Sequence, residues 1–351
     1  MASIITDIPA YVFAWEVDTL KISAEQDTAV CVEVNNEVVF DVTLTPDSSG
    51  TIAIYNLADL INDSRWAFVA RDSVTLSFWV DGTRTHVTRL VPCRANIGVP
   101  AATFYKENFL TLASSLYKRI PSDAVEQLMW LETDDETGTE NVKVQATWVR
   151  QTDYAVKKTS EYLTIGGTEE EFAYVDASPS KLTAPVAEGD WRLVEYGVNV
   201  NGREQYYRIA MDGLSNQNVT RLQFVGNFGE TETFYFFGSL EKEMKPDYSA
   251  AIINGRQQNY LVEAQPTWTA ETGPMGRAEM LLFEDLCTAT DVKNLGTGRP
   301  VAITEASYKP TNAWADTPAA SLSWQDQKRG NVQNVTLPAQ TFDSSFDSTY
   351  E

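Results

Sequence analysis

Histidine is nearly absent: His86 is the only one in 351 residues. That removes His-cluster metal sites and leaves at most one Ser–His or Cys–His arrangement. Cysteine is scarce as well. Cys31, Cys93 and Cys287 are odd in number and widely spaced, so neither a disulfide framework nor a zinc site is expected, and a reducing place of assembly fits. Basic charge is outnumbered, with 27 Lys and Arg against 49 Asp and Glu, a net of −22. Such a chain repels phosphates, which argues against sequence-specific nucleic acid binding through a basic patch. Glycine and proline stand at 19 and 14 residues, too few for a collagen-like or linker-dominated chain. No apolar run approaches the ~18 residues of a membrane helix, so no membrane insertion is expected. The opening stretch, residues 1–13, has no basic region ahead of an apolar one, and a signal peptide is not expected either. Most enzyme classes are disfavoured before any motif is sought.

What remains is a chain able to bury proper cores, with 43 % apolar and 22 % charged residues, long enough for two or three domains. Strand signals dominate. From Ser73 to Val91 two alternating runs flank Asp81-Gly82, which supplies the positive φ angles of a two-residue turn. That register sets Phe78 against Thr85, Leu76 against Val87 and His86 against Ser77, with Val74, Leu76, Phe78 and Val87 on the core face. Between Val30 and Leu44 the apolar pattern selects a three-residue loop, Asn35-Asn36-Glu37. It pairs Val34 with Val38, Val32 with Phe40 and Val30 with Val42, whereas a two-residue loop would set Val34 against Glu37 and Val30 against Asp41. A third hairpin turns at Asn201-Gly202, placing Tyr196 across from Tyr207 and Glu195 across from Arg208.

Only one helix is strongly patterned. Within residues 274–288, Met275, Ala278, Leu282 and Leu286 recur near helical spacing behind Pro274. Residues 59–68 and 123–131 are ambiguous between helix and other structure. The expected fold is mainly β: an N-terminal β-sandwich over 1–97, a second sandwich-like domain over 98–212, and a C-terminal β domain over 213–330 carrying the helix. Residues 331–351 read as a polar arm. Phe342, Phe346 and Tyr350 recur there every four residues and are candidate inter-subunit contacts.

No residue stands out as catalytic. His86 lies mid-strand with no nucleophile elbow nearby, and a packed or exposed strand histidine is the ordinary reading. Cys31 falls in an apolar strand and Cys287 on the apolar helix, where cysteine serves as a small hydrophobe. The densest acidic run, Asp134-Asp135-Glu136 with Glu140, lacks the alternation of a calcium loop and reads as a solvated hairpin tip. Glu169-Glu170-Glu171 reads the same way. Nine tryptophans invite a carbohydrate-binding alternative, yet Trp15, Trp79, Trp148, Trp191, Trp268 and Trp324 fall in strand-like runs, where packing is the ordinary explanation. An acidic glycosidase is a third reading, but with 49 carboxylates some pair is always available. No catalytic residue, metal ligand or cofactor is assigned.

Several spaced segments carry a resemblance. They are Pro46 to Leu60, Asn108-Phe109-Leu110-Thr111 with Glu126-Gln127-Leu128-Met129-Trp130, and above all Val225-Gly226-Asn227-Phe228-Gly229-Glu230-Thr231-Glu232-Thr233-Phe234-Tyr235-Phe236-Phe237-Gly238. Asp247-Tyr248-Ser249, Asn259 to Glu263, Ile303 to Lys309 and Ala320 to Trp324 come after them. On these the chain resembles tail structural proteins of bacteriophages and prophages of Bacteroidetes over most of residues 30–330. The resemblance implies a non-enzymatic virion subunit, similar to distal-tail or baseplate-hub components. Such a subunit is assembled in the host cytoplasm, forms a homo-oligomeric ring and contacts other tail proteins. It implies no catalytic residue.

Overall fold

The computed structural model describes residues 2–62, 74–91, 93–95, 97–132, 142–169, 172–185, 190–210, 219–245, 247–253, 256–263, 265–309 and 318–327. Strands greatly outnumber helices among them, so the mainly β expectation holds.

Near the N-terminus two sheets face each other. The larger runs in the order Tyr11–Val12, Thr83–Leu90, Val74–Val80, Thr28–Val34, Glu37–Leu44. The smaller runs Ser3–Ile4, Leu20–Ser23, Thr51–Ile54. Alternate side chains from both enter one core: Val30, Val32, Val34, Leu76 and Phe78 meet Leu20, Ile22, Ile52 and Ile54. Helix α1, Leu57–Asn62, closes one end with Leu57 and Ile61. This is the alternation that a half-buried sandwich strand requires.

A second pair of sheets repeats the arrangement. Five strands lie in the order Val156–Leu163, Val142–Arg150, Trp191–Val200, Arg203–Ile209, Tyr117–Ile120, over a three-stranded sheet of Gln127–Leu131, Phe172–Asp176 and Gly167–Glu169. Val144, Ala146, Tyr196, Val198 and Tyr207 pack on Leu128, Trp130 and Val175. Helix α2, Ala101–Glu107, leads into this unit.

The third unit is a seven-stranded sheet whose two edge strands, Thr231–Phe236 and Leu240–Met244, are consecutive in sequence. Residues 237–239 join them, and the four steps from Phe236 to Leu240 reach at most about 14 Å. The sheet therefore curls until its edges nearly meet, wrapping helix α3, Arg277–Thr288. Phe283, Leu282 and Leu286 fill the curl against Phe234, Phe236, Leu322 and Trp324. Past Met244 the chain leaves as a ribbon: Asp247–Ile253 pairs with Arg256–Glu263 in a sheet of two strands.

Several local expectations are corrected. In the first hairpin Asp81 and Gly82 have φ of 50° and 73° as the turn requires, but a bulge between Phe78 and Trp79 sets Phe78 opposite His86 and Ser77 opposite Val87. Thr85 is the extra residue, and its hydroxyl donates to the Phe78 carbonyl at 3.1 Å. Val87 consequently points outward, 44 % exposed, while Thr88 is buried and donates its hydroxyl to Pro9. The second hairpin turns on two residues, Asn35 and Asn36, both at positive φ, with Val34 opposite Glu37. A bulge between Val32 and Glu33 absorbs the extra residue, so Val32 still meets Phe40 and Val30 still meets Val42. The ambiguous run 123–131 ends in a strand, Gln127–Leu131. Trp15 lies in a 3-10 turn, Ala14–Val17, rather than a strand. The third hairpin has the expected register through Glu195 and Arg208, and α3 lies where the spacing places it. The acidic run 134–140 and the arm residues Phe342, Phe346 and Tyr350 lie outside the described residues.

Candidate functional site

The segment Val225 to Gly238 turns almost wholly inward. Asn227, Phe228, Glu230, Glu232, Thr233, Phe234, Tyr235, Phe236 and Phe237 are all buried. Its first part is a tight turn. Gly229 sits at φ 76°, and the Gly226 amide donates to the Glu230 carbonyl at 2.9 Å. The Glu230 carboxylate folds back to accept the Phe228 amide at 2.8 Å and fills the space a Cβ on Gly226 would occupy. A Cβ on Gly238 would lie 2.6 Å from the Glu271 carbonyl oxygen. Glycine at 238 is therefore a packing requirement, while at 226 a side chain would displace the Glu230 carboxylate from its bond to Phe228.

From this frame the segment reaches each neighbouring unit. Toward the N-terminal sandwich, the Arg94 amide donates to the Asn227 carbonyl at 3.1 Å. The Phe228 ring stacks on Phe104 of α2, with centroids 5.0 Å apart, and lies 6.1 Å from Phe13. Val91, Cys93, Tyr105, Leu110, Leu131 and Phe172 complete that small core. Toward the middle unit, Glu232 accepts from the Lys118 ammonium at 3.1 Å, and Lys118 also reaches Glu126 at 2.8 Å. The Tyr235 hydroxyl donates to the Val125 carbonyl at 3.1 Å. The Arg119 guanidinium lies 4.2 Å from the Phe237 ring centre. Toward α3, the Asn227 amide donates to Asp285 at 3.1 Å. Glu279 caps α3 by accepting the Gly276 amide at 2.8 Å and the Arg119 amide at 2.7 Å. Nearby, fully buried Arg203 donates to the carbonyls of Tyr105 and Leu131.

Electrostatics follow from the burial. Burial alone would lower the Lys118 pKa, but attraction to Glu126 and Glu232 outweighs it and raises it. Burial raises Glu126, with Lys118 pulling it back. Burial also lifts Glu230 well above the ordinary carboxylate range, and the charges of Glu232 and Asp285 add to that. Asp285 is pushed up to about 7, mainly by burial, against the opposing hydrogen bonds from Asn227. A single cation thus holds two carboxylates in a buried region where further acids favour their neutral form. Such an arrangement fixes elements relative to one another.

The residues singled out from sequence are not brought together here. His86 is half-buried in the N-terminal sheet, its ring centre 6.2 Å from Phe78. The three cysteines are free. Burial lifts the Cys93 thiol to about 12 and Cys287 to about 11, and raises Cys31, so little reactive thiolate forms near neutrality. Among the described residues no group of three or more His, Cys, Asp or Glu could hold a metal ion, and no helix is long and apolar enough to cross a membrane. None of the seven described tryptophans is exposed. The half-buried rings of Trp79, Trp191 and Trp268 each carry a cation, from Arg84, Arg150 and Lys242 at 5.8, 5.3 and 5.0 Å. Those faces are not open stacking platforms for a sugar.

Sequence reasoning missed Lys118, Arg203, Glu279 and Asp285. Arg203 carried a readable signal: with Tyr207 and Ile209 inward, strand alternation puts Gln205 and Arg203 on the same buried face. Lys118 had the same signal beside Ile120.

No protein-family model and no curated protein matches the chain. Among solved structures, it is similar to a chain in the tail of an empty gene transfer agent particle refined with C6 helical symmetry. The identity is 8 %, covering 33 % of this chain and 96 % of that one, with a TM-score of 0.24. A chain from the virion of the native gene transfer agent particle gives 9 %, the same coverages and a TM-score of 0.23. Likenesses at these scores carry no functional argument.

Proposed function

We propose that the chain is a non-enzymatic structural subunit of a phage-type tail. In this reading it forms a symmetric ring and joins neighbouring tail or baseplate components, as distal-tail and hub proteins of Bacteroidetes phages do. It acts in the virion after assembly in the host cytoplasm, with units dividing at 1–97, 98–212 and 213–330. The observation that carries the reading is the ribbon beyond Met244. Ladder pairing runs from Leu240 opposite Ala270 to Met244 opposite Pro266, and resumes from Asp247 opposite Glu263 to Ile253 opposite Arg256. The outer part pairs with no third strand among the described residues. A two-stranded sheet is marginal alone in water, and its free edges are templates for another chain. A second copy of the subunit supplies that pairing in a ring. The sequence resemblance and the absorption of its best segment into the inter-unit junction support a mechanical role.

Two further elements belong to the proposal. Much of the net −22 charge faces the lumen, where it keeps passing DNA from sticking. The arm residues Phe342, Phe346 and Tyr350 pack on a neighbouring subunit, each burying an aromatic worth roughly 1.5–3 kcal/mol. Mass measurement and image reconstruction of the purified chain test the reading. A closed ring with an acidic lumen is expected. A monomer at every concentration, or a ring with a basic channel, would contradict it. Deleting residues 338–351 weakens assembly and leaves the monomer's melting temperature unchanged; an equally competent truncated chain would reduce the arm to a tail.

A further inference from the structure

The solvent face of the five-stranded middle sheet carries a trough built from one row of paired residues. Ser160 lies opposite Gln145, Gln145 opposite Gly197, Gly197 opposite Tyr206, and Tyr206 opposite Tyr117. One level of side chains therefore crosses all five strands. At its centre Gly197 has no side chain, and a Cβ there would lie 3.0 Å from the Tyr206 ring. Tyr206 leans over the gap. Its ring stacks on Tyr117 with centroids 5.1 Å apart and planes 23° off parallel, and its hydroxyl donates to Glu204. These contacts hold a flat aromatic surface in place beside a hollow. The next row, Lys158, Thr147 and Glu195, forms a wall. The open trough holds about 330 Å³, within the ~300–1,000 Å³ span of small-molecule sites.

The lining chemistry selects among ligands. A flat ring receives the C–H face of a sugar, while hydroxyls need donors and acceptors together at the rim. The Gln145 amide and the Ser160 and Thr147 hydroxyls each offer both; Lys158 only donates and Glu195 only accepts. Lys158 and Glu195 balance in charge, so nothing favours an anion or a cation. No aliphatic side chain larger than Ala146 lines it to anchor a peptide. We infer that this trough binds a neutral oligosaccharide, with Tyr206 against one sugar ring and Gln145, Ser160 and Thr147 meeting its hydroxyls. The site uses tyrosine and glycine, apart from the covered tryptophans, and stands whether or not the subunit forms a ring.

The test is titration of the full-length chain with short neutral β-glucan, α-mannan and galactan oligosaccharides, followed by calorimetry and ligand-observed saturation-transfer NMR. At least one saturates the wild type. Tyr206→Ala weakens that binding about tenfold or more, the loss of a well-placed stacking surface, and Gln145→Ala weakens it several-fold. Gln145 is an exposed position, so its variant keeps the test valid should Tyr206→Ala misfold. Tyr55→Ala, at an exposed tyrosine of the N-terminal sandwich, binds as the wild type does. No saturable binding to any of the three glycans overturns the inference. So does equal loss in the Tyr55→Ala control.

Discussion

Two nearby stretches of this chain solve opposite problems. Residues 225–238 are nearly all buried and spend their hydrogen bonds and rings on other units. Residues 247–263 pair only with themselves among the described residues. Both are strand-rich and both lie within the sequence resemblance, yet one is finished within the subunit and the other is left open. In the proposed assembly the two divide the work: the buried joint orients the units, while the two-stranded ribbon offers its edges to a neighbouring copy.

The sharpest way to break this comparison is to remove the cation of the joint. Lys118→Met leaves Glu126 and Glu232 buried without their partner, and stability falls by about 3–5 kcal/mol. Adding Glu126→Gln and Glu232→Gln recovers most of it, as read by denaturant unfolding. A loss below about 1 kcal/mol would show the triad to be ornamental.

Next in size is the pH response of Asp285. Its folded pKa of about 7 stands above the ordinary aspartate value of 3.8, so the folded state holds the proton more tightly. This contribution is complete below pH 3.8 and is lost as pH rises through about 7, by at most about 4 kcal/mol. Asp285→Asn cannot titrate, so its stability falls less steeply between about pH 4 and 8 than that of the wild type. Parallel pH profiles would contradict the burial argument.

Smaller still is Gly238→Ala, where the new methyl meets the Glu271 backbone and overpacking costs about 1–3 kcal/mol. Smallest is the ribbon. Replacing residues 247–263 with a short Gly-Ser turn changes subunit stability by less than about 0.5 kcal/mol while abolishing oligomer formation. A large destabilisation would place the ribbon with the joint.

The same contrast governs what could be read from sequence. Where two runs are joined by a short turn, apolar alternation reaches the right partners: Tyr196 with Tyr207, and Val30 with Val42. It fails at the bulge after Phe78, because the extra residue Thr85 is stabilised by a local bond to Phe78 that leaves no periodic trace. Helix α3 was readable from Ala278, Leu282 and Leu286. Helix α2 was not, since seven residues barely complete two turns. The joint was least readable of all. Glu232 lies 114 positions from Lys118, and Asn227 lies 58 from Asp285. Nothing local tells a solvated carboxylate from one that meets a distant cation.

Hydrogen exchange on the free chain and on the assembled particle tests both halves of the account together. Amides of residues 225–238 are expected to be protected in both states. Those of residues 247–263 exchange quickly in the free chain and gain protection on assembly. A ribbon already protected in the free chain, one that gains nothing in the particle, or a segment 225–238 that opens before the cores it joins would contradict the account.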